Sequence, residues 1–181
     1  MEKKLDPQHL DVSSFARDGL SLRGEGALSD WLRLEEEKFG DVLQAGSVVW
    51  QLQGRSVPQS GGADQIWLDL KASVALPMQC QRCLTPVLET IEAERSFRFV
   101  ADEATALAED AHCEEDLLAL TPPLDGLNLI EDELLMALPL LPKHDSCNSE
   151  YSQTSLGDAA SEKTHPFAAL AQWRKSGDPG K

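Results

Sequence analysis

The chain has 181 residues with 41% apolar content and a formal net charge of −15, Asp and Glu outnumbering Lys and Arg by 31 to 16. That length suits one domain with loose ends and needs no disulfide scaffold, and aromatics at 6% point to an ordered core with polar tails. The acidity argues against a broad phosphate-binding face, leaving a confined basic patch or a basic protein partner.

In chain order, residues 1–19 read as irregular and loosely ordered, with turn-prone Asp6, Pro7 and Gly19. The start has two lysines but no apolar stretch after them, unlike a secretory signal. LSLRGEG (20–26) alternates and reads as a short strand. SDWLRLEEEKFG (29–40) reads as a helix with Ser29 as N-cap and Gly40 as its stop. GSVVWQLQGR (46–55) reads as a strand with Val48, Trp50 and Leu52 on one face, and SVPQSGGA (56–63) as a loop. DQIWLDLKASVALPMQ (64–79) has the clearest period of two, with Ile66, Leu68, Leu70, Ala72, Val74 and Leu76 on one face. VLETIEAERSFRFV (87–100) returns as a second long strand, so CQRC (80–83) sits at the tip of a long hairpin.

Residues 101–116 carry seven acidic residues and no Lys or Arg, and read as a solvated acidic loop. LNLIEDELLMAL (127–138) reads as a helix with Leu127, Ile130, Leu134 and Leu138 on its core face and an Asn128–Glu131 capping box. Pro139 and Pro142 force an extended exit. The longest apolar run, LLMALPLLP (134–142), is too short and too proline-rich to span a bilayer. A polar stretch at 148–164 reads as a disordered linker. HPFAALAQWRK (165–175) reads as a short helix with Phe167, Leu170 and Trp173 on its apolar edge.

The chemistry-bearing residues are few. Cys80 and Cys83 at the hairpin tip, with His144 and Cys147 in the exit, make a Cys-x2-Cys … His-x2-Cys set. Cys3His is a standard tetrahedral zinc combination, and hairpin-tip Cys pairs suit zinc knuckles, so Zn2+ is the candidate cofactor. The alternative is a reduced Cys pair filling a turn, with His144 and Cys147 exposed. A thioredoxin-like redox pair should open a helix, whereas alternation on both sides of CQRC argues for strands. Cys113 reads as a bystander, and His9, His112 and His165 have no evident partner. No phosphate-loop, nucleophile-elbow or metalloprotease pattern is present, so no catalytic residue is assigned and the chain is not expected to be an enzyme. Arg82, Arg95, Arg98 and Lys143 are the candidates for a small RNA-contacting patch, with Phe97 or Phe99 nearby. The competing reading makes them ordinary surface cations paired with the many carboxylates.

CQRCLTPV after a long β run, EEDLLAL, LIEDELLMALPLLPKHDSC and, after a polar gap, HPFAALAQWRK together resemble the bacterial YceD-like family. It is also called the large ribosomal RNA subunit accumulation protein family, or domain of unknown function 177. The likeness runs from about residue 45 to 175. It implies a non-enzymatic factor in synthesis, processing or stability of 23S ribosomal RNA and large-subunit assembly, with precursor rRNA or an assembly intermediate as partner. Some relatives carry a second Cys-x2-Cys where this chain has His144-Asp-Ser-Cys147. The expected fold is α+β: an antiparallel, barrel-like sheet with one packed helix and flexible termini. The expected layout is a YceD-like domain at 1–147, a linker at 148–164, and a C-terminal helix and tail at 165–181. A second reading is an acidic module that binds a basic ribosomal protein without touching RNA, and a third is a thiol redox protein. All readings place the protein in the cytoplasm, away from the membrane.

Overall fold

A computed structural model describes residues 5–41, 44–120 and 123–147. The linker and the short helix expected beyond residue 147 lie outside the described residues.

The fold is α+β, built on one five-stranded sheet in the order β1-β2-β3-β4-β5. β1 (Ser21–Gly26), β2 (Val48–Val57), β3 (Gln65–Gln79) and β4 (Pro86–Val100) form an antiparallel meander. β5 (Asp116–Ala119) then pairs in parallel with β4. Two expectations are corrected here. The sheet is mixed rather than antiparallel, and it stays open: β1 and β5 are its two edges, and among the described residues no strand pairing closes a barrel.

The period of two in β3 does what it implies. Leu68, Leu70 and Leu76 are fully buried on one face, while Lys71 is exposed on the other. α1 (Val12–Arg17) and α4 (Gly126–Met136) cover the apolar face, where Phe15, Ile130 and Leu134 join the strand residues in a single core. The other face is left largely polar.

The stretch expected to be loosely ordered up to residue 19 contains α1. Asp11 caps it by accepting from the Ser14 amide at 3.1 Å, and Phe15 is 1% exposed. Gly54 on β2 makes this contact possible: a Cβ there would lie 2.7 Å from both the Phe15 ring and the Phe15 carbonyl oxygen. The signal was too short to show a helical period, and tertiary packing decides it.

The expected helix at 29–40 is two shorter pieces, a 3-10 turn (Leu28–Asp30) followed by α2 (Leu32–Glu36). Ser29 caps neither. The N-terminal amides of α2 are instead met from α4: Glu131 Oε1 accepts from the Arg33 and Leu34 amides at 2.9 and 3.2 Å. Glu131 is therefore not half of a capping box with Asn128. Asp125 caps α4, its Oδ1 accepting from the Leu127 and Asn128 amides at 3.1 and 3.0 Å. The acidic stretch 101–116 is also more ordered than a loop. Asp102 caps α3 (Glu103–Asp110), and the crossover ends in β5.

Candidate metal centre

β3 and β4 run in register to Gln79 and Pro86, and the six residues between them close the tip. The Cys80 amide donates to the Thr85 carbonyl at 3.0 Å, and the Leu84 amide donates back to the Cys80 carbonyl at 2.9 Å. Turning this tightly puts Leu84 in the left-handed region at φ 61°. The exit from α4 is then brought alongside: Pro142 is buried, and its carbonyl accepts from the Gln81 amide at 2.9 Å. The Lys143 amide donates to Glu89 of β4 at 3.3 Å. Residues some 60 positions apart in sequence thus become neighbours.

Cys80, Cys83, His144 and Cys147 meet at this junction, with all four potential ligand atoms within 4.8 Å of one another. Cys80 Sγ lies 3.5 Å from Cys147 Sγ; His144 Nδ1 lies 3.4 Å from Cys83 Sγ and 3.7 Å from Cys147 Sγ. A tetrahedron with Zn–S and Zn–N distances of about 2.3 and 2.0 Å has edges of roughly 3.5–3.8 Å. These three separations match such edges, and all four donors stay within 4.8 Å of one another, as a shared central ion requires. All four cysteines of the chain are free thiols rather than disulfides.

The surroundings set each donor. His144 Nε2 faces the Pro86 carbonyl at 3.0 Å, so that nitrogen carries the proton and donates. Nδ1 then faces the sulfurs, the nitrogen a metal-bound imidazole would use, while the Cys80 and Cys83 sulfurs beside the ring raise its proton affinity until a cation takes that place. Burial pushes the Cys80 thiol up, but amide hydrogen bonds from Cys83, His144 and Arg82 outweigh it and bring the group down to about 5. Thr85 holds the Cys83 thiol low through its hydroxyl, 3.1 Å from the sulfur, and its amide. Burial and the neighbouring sulfurs push Cys147 up to about 11. Cys80 and Cys83 are thus shifted toward the thiolate form and Cys147 away from it, so a bound cation would have to displace the Cys147 proton. The donor set and geometry fit a tetrahedral ion such as Zn2+, held by Cys80, Cys83, His144 and Cys147. The Cys80–Cys83 turn opens no helix, the arrangement a thioredoxin-like pair would use.

The four candidate RNA-contact residues separate into two groups. Arg82 and Lys143 are exposed, flank the Gln81–Pro142 contact, and carry no ion pair among the described residues. Arg95 and Arg98 lie roughly 30 and 40 Å along β4 from its start. They point to opposite faces of the sheet. Arg95 pairs with Glu133 of α4 and Arg98 with Glu109 of α3. Phe97 and Phe99 are 4% and 6% exposed, so neither offers a ring for base stacking. The tip instead exposes Leu84, Leu140 and Leu141 beside its two cations.

A family model described as large ribosomal RNA subunit accumulation protein YceD matches residues 68–173. The chain belongs to the YceD family. A protein of Haemophilus influenzae (strain ATCC 51907 / DSM 11121 / KW20 / Rd) described as large ribosomal RNA subunit accumulation protein YceD is 30% identical over 118 residues. The alignment covers 58% of this chain and 63% of that relative, so the chain spans less than two thirds of the relative's length. No solved structure matches the chain. The YceD match takes in both halves of the junction, from Cys80 to Cys147.

Sequence reasoning named the four donors but not the groups that set them. Thr85 and the Pro86 carbonyl, on the hairpin return, and Glu89, on β4, have signatures shared by any polar turn.

Proposed function

We propose that this chain is a non-catalytic cytoplasmic factor in the accumulation of large-subunit ribosomal RNA, and that the metal-clipped hairpin tip is its contact element. The observation that carries the reading is the overlap of the YceD match with the junction of Cys80, Cys83, His144 and Cys147. A Cys3His clip would fix the exit segment against the hairpin and so keep Arg82 and Lys143 on the two strands of chain joined by the Gln81–Pro142 hydrogen bond. On a chain of net charge −15 these cations are a confined spot suited to a few phosphates of precursor rRNA or of an assembly intermediate. Among the described residues no helix is long and apolar enough to cross a membrane.

The test is complementation in cells lacking the gene, reading the ratio of large- to small-subunit rRNA. The intact chain should restore the ratio, and a Cys83→Ser Cys147→Ser variant of equal abundance should not. Full restoration by that variant would remove the clip from the function.

A second reading, contact with a basic ribosomal protein and no RNA, is supported by the pairing of Arg95 and Arg98 with carboxylates. Co-purification of a basic ribosomal protein that survives nuclease treatment would favour it, and loss on nuclease treatment would count against it.

A further inference from the structure

On the helix-covered side of the sheet, away from the clip, a cavity of ≈ 350 Å³ opens between β1, α4 and the turn before α2. Its walls include Trp31, Trp50, Glu25, Asp30, Asp125 and Asn128, and among the described residues no Lys or Arg lines it. Two glycines of β1 make room. A Cβ at Gly24 would run into the Trp50 indole, and one at Gly26 would sit 3.3 Å from Trp31 Nε1 and 3.5 Å from Asp30 Oδ2.

Three features give this cavity a chemical preference. Trp31 is 5% exposed, yet its Nε1 has no hydrogen-bond partner among the described residues. A buried donor left unpaired is costly, so this position is set to meet an acceptor from outside. The Asp30 carboxylate has no partner of its own among the described residues, whereas Asp125 caps α4 and Glu25 is held by the Ser47 hydroxyl. Excess negative charge therefore lines the opening. Trp50, half-buried, adds a second indole, and tryptophan faces attract ammonium and guanidinium groups. A hard metal ion would instead take converging oxygen ligands and has no use for an indole N–H. The volume lies at the low end for ligand pockets, enough for one side chain.

We infer that this cavity is a binding site for a Lys or Arg side chain of a basic protein segment, the cation against Trp50 and Asp30 and the adjoining peptide carbonyl on Trp31 Nε1. The site is separate from the hairpin tip and does not depend on whether the tip touches RNA.

The test uses the full 15N-labelled chain titrated with the peptide acetyl-Lys-Arg-Lys-amide. The tryptophan indole N–H signals are followed by NMR and assigned with Trp31→Phe and Trp50→Phe. Saturable shifts at Trp31 and Trp50, with Trp67 unmoved, are expected. An Asp30→Asn Glu25→Gln variant should bind on the order of fivefold more weakly. An Asp64→Asn Glu103→Gln control, which removes the same formal charge elsewhere, should bind within about twofold of wild type. An Arg82→Glu Lys143→Glu variant should bind as wild type, which keeps this result distinct from any failure of the tip to bind RNA. Absence of a saturable shift, equal weakening in the control, or the same shifts with a uridine trinucleotide would overturn the assignment.

Discussion

Gly54→Ala tests the part of the fold that sequence reasoning placed least well. The new methyl would lie 2.7 Å from Phe15 Cδ1, 2.7 Å from the Phe15 carbonyl oxygen and 2.8 Å from Ala16 Cα. Two of those atoms are backbone, so no rotamer change relieves the overlap. Carbon contacts settle at about 3.5–4.0 Å, so α1 must withdraw from β2 by roughly 0.8 Å. Gaps of that size forfeit a quarter to a half of the contact energy along the interface, which here is made by Val12, Phe15 and Ala16. Overpacking at such a site costs about 1–3 kcal/mol. Deleting the ring outright in Phe15→Ala sets an upper mark of about 3–5 kcal/mol. We expect Gly54→Ala to cost about 2–3 kcal/mol, which for a domain of this size lowers the melting temperature by roughly 5–10 °C. Urea denaturation with an unchanged slope should give the same ordering, Phe15→Ala below Gly54→Ala below wild type. In the Phe15→Ala background the Gly54 substitution should cost less but not vanish, because the carbonyl and Ala16 remain. A Gly54→Ala protein melting within about 1 °C of wild type would refute the packing of α1 on β2.

Purified under reducing conditions, the chain should carry close to one zinc per molecule by elemental analysis. Its Co2+ form should show thiolate charge-transfer bands that Cys147→Ser weakens, and zinc-free protein of unchanged stability and no Co2+ spectrum would end the metal assignment. Arg82→Glu Lys143→Glu should reduce retention of large-subunit precursor RNA without changing the melting temperature, and lower the salt slope of binding by about 1.4, two phosphates' worth for a single strand; an unchanged slope would count against the tip as contact. Glu131→Gln should lower the melting temperature more than Asp132→Asn, because Glu131 is 12% exposed and meets two amides of α2, whereas Asp132 is 43% exposed and meets only the Arg33 side chain. Burial raises the Asp69 carboxyl, but hydrogen bonds from Arg55 and Ser96 outweigh it and hold the group below its usual range. Its contribution is therefore present above about pH 4, the unfolded value, and lost as pH falls through the folded one. The stability difference between wild type and Asp69→Asn, at most about 1 kcal/mol, should shrink on acidification below that point.

Long, regular periods were the legible part of this sequence. The fifteen-residue strands β3 and β4 and the eleven-residue α4 repeat their apolar spacing often enough to declare themselves. The six-residue α1 and five-residue α2 do not. α1 depends on a glycine on another strand, and α2 on a carboxylate in another helix. The parallel β5 was hidden because four residues among many acids show no period. At the tip, ligand types and pair spacing named the four side chains that the fold brings together, since few residue types can serve as metal donors. The arginines were harder: Arg95 and Arg98 are three apart on a strand, which places them on opposite faces, and a short basic cluster in sequence is then not a cluster in space. The cavity beside Trp31 left no pattern at all, because β1, α4 and the turn before α2 meet there only after folding.

The hold of Glu131 on α2 spans 98 positions in sequence, the separation from Arg33. On a chain emerging from the ribosome at about 5–20 residues per second, α2 waits roughly 5–20 s for the group that completes it. A helix of five residues is not stable by itself, however long the interval. Newly made N-terminal fragments should therefore hold the Leu32–Glu36 stretch open, with the indole at position 31 uncovered, until the distal third of the molecule has been translated.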